Sequence, residues 1–192
     1  MNRFYSLSLL FLVFILSACS ERGEQTEAVD IQYRDLEWTE LIPDDDLQAL
    51  MNPPSYLDFI EDGSEEDKID GLKQASPITE TPDRYQQALV SVNVKEEFNE
   101  QKVRIPGFVV PLEFNDNNVV TTFFLVPFFG ACTHEPAPPP NQIIYSEFEP
   151  GKKLDDLYEP VWLTGTLHTS TISNELATSA YSMIVDSITL YE

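Results

Sequence analysis

The hydrophobic pattern changes at residue 102, and from there on the chain is patterned for β-strands. Val103 and Ile105 alternate with Lys102 and Arg104, which is the period-two pattern of a half-buried strand. Pro106-Gly107 then predicts a bend or bulge within this first strand. Four further strands are predicted over residues 119–129, 142–148, 161–168 and 181–191. The first of these four is apolar on both faces, which is typical of a strand buried on both sides.

This spacing of strands predicts a mostly β fold. Five or six short strands joined by turns within about 90 residues are typical of a small antiparallel OB-like β-barrel. A β-sandwich is the alternative, and periodicity does not distinguish the two. Residues 36–101 are patterned differently and predict a short helical and loop cover for the barrel.

Two helices are predicted within the cover. Asp44 is expected to cap a helix over residues 45–51, which the proline pair at 53–54 ends. Thr81 is expected to cap a second helix, with Pro82 at its first position, that continues to about Leu89.

The first 35 residues predict export and a lipid anchor. Residues 1–18 contain a basic start, an apolar run and small residues, as in a secretory signal peptide. Leu16-Ser17-Ala18-Cys19 is similar to the lipobox of bacterial lipoproteins, which implies that Cys19 becomes the acylated first residue. Ser20 follows, rather than the Asp that retains many such proteins at the inner membrane. We therefore expect an outer-membrane anchor facing the periplasm, an acidic flexible tether over residues 19–35, and one β-rich domain over residues 36–192.

The charge of the chain excludes one class of partner. The formal net charge is −22, and residues 20–102 hold 22 of the 33 acidic side chains. Such a surface repels nucleic acid and anionic lipid head groups. A net charge far from zero also keeps an exported protein soluble, so the acidity alone does not indicate metal binding.

The segment from Gly130 to Gln142 carries the candidate chemistry. Cys132 and His134 are an i, i+2 pair, which an extended backbone places on one face. A thiolate and an imidazole are zinc ligands. The candidates for a third ligand, by residue type, are His168, Glu113 and Glu135.

Two other interpretations of this segment remain open. Cys132 and His134 also have the chemistry of a nucleophile and its base, although no third residue that would orient the imidazole is evident. Alternatively the segment is a structural or partner-binding loop, in which Pro138, Pro139, Pro140 and Asn141 form a stiff edge. The chain contains no CxxC motif, which argues against a thioredoxin-like redox role.

Several motifs together resemble one bacterial family. They are Trp38-Thr39-Glu40-Leu41-Ile42-Pro43, a GFVVPLE strand at 107–113 and a GACxHxPxPPPNQ loop at 130–142. The family is an uncharacterised one of exported proteins and lipoproteins, named only as a domain of unknown function, and the resemblance covers residues 36–191. Where the family usually has a Gly-Lys turn, this chain has Glu100-Gln101-Lys102, so Asn99 is expected to supply the turn conformation.

The resemblance also implies a cellular role. Members of the family are similar in context to accessory proteins encoded beside transporters of the lipoprotein-handling or macrolide-exporter type, some of them under zinc control. This implies a zinc-binding accessory role in metal homeostasis, or an association with an ABC-type transporter or envelope complex. The family has no histidine expected at the position of His168, so the assignment of that residue rests on this chain alone.

Overall fold

Paired β-strands are the main secondary structure in the part of the chain that the structure describes. The computed structural model describes residues 32–61, 64, 68, 71, 82–115, 119–131, 137–153 and 158–191. The strands within this part are β1 (Arg34–Asp35), β2 (Gln101–Phe114), β3 (Val120–Val126), β4 (Ile144–Lys152), β5 (Val161–His168), β6 (Ile172–Ser173), β7 (Thr178–Ser179) and β8 (Tyr181–Leu190). All of the described residues belong to one compact unit, Gln32–Glu192.

Five of these strands close into a barrel. The order is β2-β3-β4-β8-β5, and pairing between β5 and β2 closes the ring, so the predicted OB-like barrel is confirmed. The expectation that it is antiparallel throughout was wrong, because β4 and β8 are parallel. Parity explains the difference: strand direction cannot alternate around a closed ring of five, so at least one neighbouring pair must be parallel.

The long strand β2 takes part in both halves of the barrel. Its first half, up to Gly107, pairs with β5, and its second half, from Phe108, pairs with β3. A Cβ at Gly107 would lie 2.8 Å from Leu125 Cγ, so glycine allows β3 to approach closely where β2 changes partner. The register shifts lie further along, between Pro111 and Phe114, rather than at the Pro106-Gly107 step where a bulge was considered.

Strand β3 is buried on both faces, as its sequence predicts. Phe123 and Leu125 face the barrel interior, whereas Phe124 and Val126 belong to a second apolar cluster outside it. The strand is shorter than the predicted 119–129, and the phenylalanines at 128 and 129 beyond its end are about half exposed. We call the interior set the inner cluster, and the set formed by Phe124, Val126, Ala131 and Ile143 the outer cluster.

The cover contains α1 (Asp44–Met51), α2 (Arg84–Leu89) and 3₁₀ turns at Trp38–Leu41, Ser55–Phe59 and Glu96–Phe98. Helix α1 was expected from residue 45 but begins at Asp44, with Pro43 as its N-cap. Helix α2 was expected to be capped by Thr81, but Asp83 is the N-cap. The Asp83 carboxylate accepts from the Gln86 backbone N–H at 2.9 Å, and the Gln86 side chain accepts from the Asp83 N–H at 3.2 Å. This reciprocal capping box satisfies two backbone donors and places Pro82 outside the helix.

Hydrogen bonds attach the cover to the barrel. The buried hydroxyl of Tyr181, at the start of β8, donates to Leu41 O at 2.9 Å and accepts from Lys95 N at 2.8 Å. Burial raises the pKa of Tyr181 to about 12. The indole N–H of Trp38 donates to Pro106 O at 2.6 Å. Both ends of the Trp38–Leu41 turn are therefore held on the barrel.

The segment just before Leu36 is part of the sheet. Arg34 and Asp35, which the sequence assigned to the end of the tether, form β1 and pair with β2 in parallel. The hydroxyl of Tyr33 donates to Asp186 of β8 at 2.9 Å. The remainder of the predicted signal peptide and tether, including Cys19, lies outside the described residues.

The turn before β2 uses an unexpected residue. Glu100 has φ +61°, whereas Asn99, which was expected to supply the turn conformation, has φ −62°. The Asn99 side chain instead accepts a hydrogen bond from Thr169 N at 3.1 Å. The left-handed conformation therefore falls on Glu100, one residue later than expected.

Candidate functional site

The centre of the predicted site lies in a segment that the structure leaves undescribed. Cys132, His134 and Glu135 fall within residues 132–136, outside the described residues. The two flanks of this segment are described, and they show where the loop is attached to the barrel.

The first flank is anchored on the outer face of the barrel. Ala131 is fully buried in the outer cluster, and its N–H donates to Phe128 O at 3.3 Å. Ile143, on the far side of the loop, is buried in the same cluster. Both ends of the loop therefore return to the outer surface of β3 and β4.

The second flank is a 3₁₀ turn, Pro140–Gln142, held by three separate parts of the chain. Pro140 O accepts from Ala180 N at 2.8 Å, and the Gln142 side chain donates to Trp38 O at 2.8 Å. Asn141 donates to Asn93 O at 3.3 Å. These contacts fix the end of the proline-rich segment against the cover and β8.

The four residues predicted to bind a partner differ in how deeply they are buried. Pro139 and Asn141 are buried, and Pro138 and Pro140 are partly buried. The Oδ1 atom of Asn141 is buried, and no described residue is its hydrogen-bond partner. A surface for a partner at this segment thus depends on Pro138 and Pro140, while Asn141 serves the attachment of the turn.

His168 is the last residue of β5 and lies on the outer face. It is opposite Ser182 of β8, Ser182 is opposite Tyr145 of β4, and Tyr145 packs against the outer cluster. Two strand spacings separate His168 from Tyr145, about 10 Å. Ala177, nine residues after His168, packs against the same cluster as Ala131. The chain that follows β5 and the base of the 132–136 loop therefore meet on one patch.

The imidazole of His168 has an unused nitrogen. Its Nε2 atom is buried and has no hydrogen-bond partner among the residues that the structure describes. Buried polar atoms are nearly always paired, because leaving one unpaired costs free energy. An unpaired imidazole nitrogen beside this patch is therefore a candidate ligand atom.

Glu113 lies elsewhere on the barrel. It is opposite Thr122, whose hydroxyl donates to it at 3.3 Å, and Thr122 is in turn opposite Glu147. Burial, and next the charges of Glu147 and Glu113, raise the pKa of Tyr145. His168 is on β5, which pairs directly with β2, but Leu167 is opposite Gln101, twelve residues before Glu113 along β2, so these two residues do not share one site. Among the residues that the structure describes, no three His, Cys, Asp or Glu side chains come together as a metal site.

Comparison with known proteins places the chain in a family. The model of the family described as "Protein of unknown function (DUF3299)" matches residues 38–190. The chain belongs to the DUF3299 family. A DUF3299 family protein from Pseudomonas aeruginosa PAO1, known from its crystal structure, is 33% identical to this chain with a TM-score of 0.60. That comparison covers 84% of this chain and 98% of the other, and no curated protein matches significantly.

The DUF3299 match confirms the resemblance to an uncharacterised family. The matched range contains the complete barrel, both loop anchors and His168. Within the described ranges, no helix has the length and apolar character needed to cross a membrane.

One arrangement on the barrel surface was missed from the sequence. Arg104 of β2 lies over the ring of Trp162 of β5, 3.9 Å from its centroid, and Trp162 is stacked with Tyr191. The alternating pattern predicts that Arg104 and Trp162 face outward. Only the pairing register of β2 with β5 brings them together.

Proposed function

We propose that this DUF3299 protein is a lipid-anchored envelope protein that binds zinc through Cys132 and His134, with His168 as a third ligand. The observation that carries the proposal is the Nε2 of His168, which is buried and has no partner within the described ranges, on the patch where the 132–136 loop is anchored. No enzymatic step is part of this function.

The donor set suits zinc. A thiolate and two neutral imidazoles are common zinc ligands, and a fourth position would stay open to water or to a further side chain, with Glu135 the nearest carboxylate in sequence. Glu113 is not included, because it lies with Thr122 and Glu147 instead. A metal bound at Nε2 would also satisfy this nitrogen, for which the described part of the chain offers no partner.

The location and partner in this proposal come from the sequence. Acylation of Cys19 would hold the protein at the outer membrane facing the periplasm, where a membrane transport complex of the ABC type is the proposed partner. An accessory protein that binds zinc there would deliver or report the metal, which requires binding that is reversible. Ligand protonation provides such reversibility, since thiolate and neutral imidazole both lose affinity for the metal as pH falls.

Equilibrium dialysis of the full-length protein against Zn²⁺ tests the metal site. We expect one zinc per chain, release of protons on uptake, and weaker binding at lower pH. Cys132→Ala and His134→Ala should lower affinity at least about 100-fold, and His168→Ala at least about tenfold. Thr166→Ala is the matched control, because Thr166 lies on the same face of β5 two residues earlier. Full zinc affinity in His168→Ala would show that the third ligand is elsewhere.

A second candidate function is partner binding by the same loop without metal. It is favoured by the exposed aromatic surface beside the loop. There the ring centroids of Phe129 and Tyr158 are 4.5 Å apart, and both side chains are about half exposed or more. Absence of stoichiometric zinc would leave this candidate. Labelling of Cys132 by an alkylating probe separates a third possibility, because a nucleophile and base pair predicts labelling that slows in His134→Ala.

A further inference from the structure

Arg104 presents an anion-binding group on the outer face of the barrel. Among the described residues it is paired with the carboxylate of Asp35 at 3.8 Å, which is an ion pair but beyond hydrogen-bond distance. The guanidinium makes no side-chain hydrogen bond to any residue that the structure describes. In a chain of net charge −22, this leaves a fork of donors directed at solvent or at a ligand.

The surroundings of Arg104 form a cavity. It has a volume of about 460 Å³ and is lined by Arg104, Trp162, Thr189 and Leu190. Stacking on Trp162 fixes the plane of the guanidinium, so less side-chain entropy is lost when a carboxylate binds it in bidentate geometry. The volume is within the range of small-ligand sites.

A second, apolar groove lies beside this cavity, and the stacked Trp162–Tyr191 pair borders both. The groove has a volume of about 230 Å³, and its lining includes Trp38, Pro106, Phe108, Pro127, Pro160 and Tyr191.

The groove has few backbone groups for a ligand to pair with. Three of its residues are prolines, which have no N–H to donate. Pro106 O accepts from the indole of Trp38 at 2.6 Å, and Pro160 O accepts from Tyr191 N at 3.0 Å. A peptide in the groove would find few partners for its own backbone. A hydrocarbon chain needs none.

We propose that the cavity and groove together bind a medium-chain fatty acid, with its carboxylate on Arg104 and its acyl chain along the groove. Arg104, Pro106 and Phe108 alternate on one face of β2, so Arg104 and Phe108 are separated by about 13 Å along the strand. An extended chain of roughly ten carbons spans such a distance. None of the described residues that line the cavity and groove is a proposed zinc ligand.

Calorimetric titration of the full-length protein with decanoate, kept below its micelle concentration, tests the site. We expect saturable binding of decanoate, and binding of decanol at least about tenfold weaker, because decanol lacks the charge. Arg104→Gln should weaken decanoate at least about tenfold and leave decanol unchanged. Lys102→Gln is the matched control: Lys102 is two residues away on the same face and paired with Asp186 at 3.1 Å, so decanoate binding should change less than twofold.

Two further measurements keep the outcome decisive. Tyr191→Ala opens one wall of the groove and should weaken decanoate and decanol alike, several-fold. Arg104→Lys keeps the charge without the fork, so its affinity for decanoate should lie between the wild type and Arg104→Gln. Unchanged decanol binding in the Arg104 variants shows that they are folded.

The proposal is overturned by equal binding of decanoate and decanol, by no decanoate binding at all, or by equal losses in Arg104→Gln and Lys102→Gln. Tighter binding of trileucine than of decanoate would also overturn it, because the site would then bind a peptide rather than an acyl chain. Cys132→Ala should bind decanoate like the wild type, so failure here and failure of the zinc proposal are separate results.

Discussion

Strand β3 takes part in two apolar clusters, one inside the barrel and one on its outer surface. Phe123 points into the inner cluster, where side chains from all five barrel strands surround it. Phe124, the next residue, points into the outer cluster, which is closed by Ala131 and Ile143 from the two flanks of a loop. Both phenylalanines are fully buried.

The difference lies in what closes each cluster. Paired strands surround the inner cluster, and Leu36, Leu41 and Phe98 of the cover also pack into it, so a missing side chain there leaves a cavity. Loop segments cover the outer cluster, and they can move to fill a gap. The inner cluster therefore contributes mainly to stability, whereas the outer cluster holds the candidate site loop against the barrel.

The largest effect is expected from Phe123→Ala. Removal of this ring from the enclosed inner cluster should lower the free energy of unfolding by about 4–5 kcal/mol. Denaturant unfolding of the two proteins measures the difference. A loss below about 2 kcal/mol would contradict the enclosed character of this cluster.

Phe124→Ala should cost less stability and more function. We expect a loss of about 3 kcal/mol, since the covering loop can partly collapse into the gap. Because the loop base shifts with it, zinc affinity should fall along with stability. Equal unfolding losses for the two alanine variants, with unchanged zinc affinity in Phe124→Ala, would remove the distinction between the clusters.

Tyr181→Phe tests the link between the inner cluster and the cover. The change leaves Leu41 O and Lys95 N without their partner and should cost about 1–3 kcal/mol.

Tyr181→Phe should also alter how the free energy of unfolding falls at alkaline pH. The folded pKa, about 12, is above the unfolded value near 10, so the stabilisation is present below pH 10 and is lost as pH rises through 12. Unfolding curves from pH 9 to 12 should therefore fall less steeply for the variant. Tyr56, whose pKa is also raised to about 12, is still present in the variant, so part of the fall in stability with rising pH should remain.

The smallest effect is expected from a position outside both clusters, and it is a gain. Glu100 holds φ +61° in the turn before β2, a conformation that glycine adopts without a steric penalty. Glu100→Gly should raise the free energy of unfolding by about 1 kcal/mol. The neighbouring variant Asn99→Gly is the contrast, because it loses the bond to Thr169 N and should be destabilised. A loss of stability in Glu100→Gly would show that another contact of Glu100 outweighs the strain.

Local patterns predicted the elements with differing success. The bounds of β5 agree with the predicted 161–168, since its alternation is regular and both faces are distinct. The start of α2 was misplaced, because Thr81 and Asp83 both have capping chemistry and only the reciprocal bond with Gln86 decides between them.

For the candidate site, the sequence identified the possible ligand residues, and the structure showed where the described ones lie on the barrel. Cys132 and His134 were identified from their spacing, and their geometry lies outside the described residues. His168 was considered on the condition that the barrel brings it beside the loop. The pairing of β5 with β8 and of β8 with β4 places it two strands from Tyr145 and the outer cluster. Glu113 was a possible further ligand in sequence, and the register of β2 with β5 separates it from His168, because Leu167 is opposite Gln101 at the other end of β2.

The sequence by itself determined approximately where the five barrel strands lie and which of their side chains face inward, because period-two alternation is a local property of the backbone. It also determined the acidic charge and the ligand types. Only the tertiary structure decided how the ring closes, which pair of strands is parallel, and that Arg104 meets Trp162. These depend on register between strands distant in sequence, and register is set by the packing of the whole barrel rather than by any one segment.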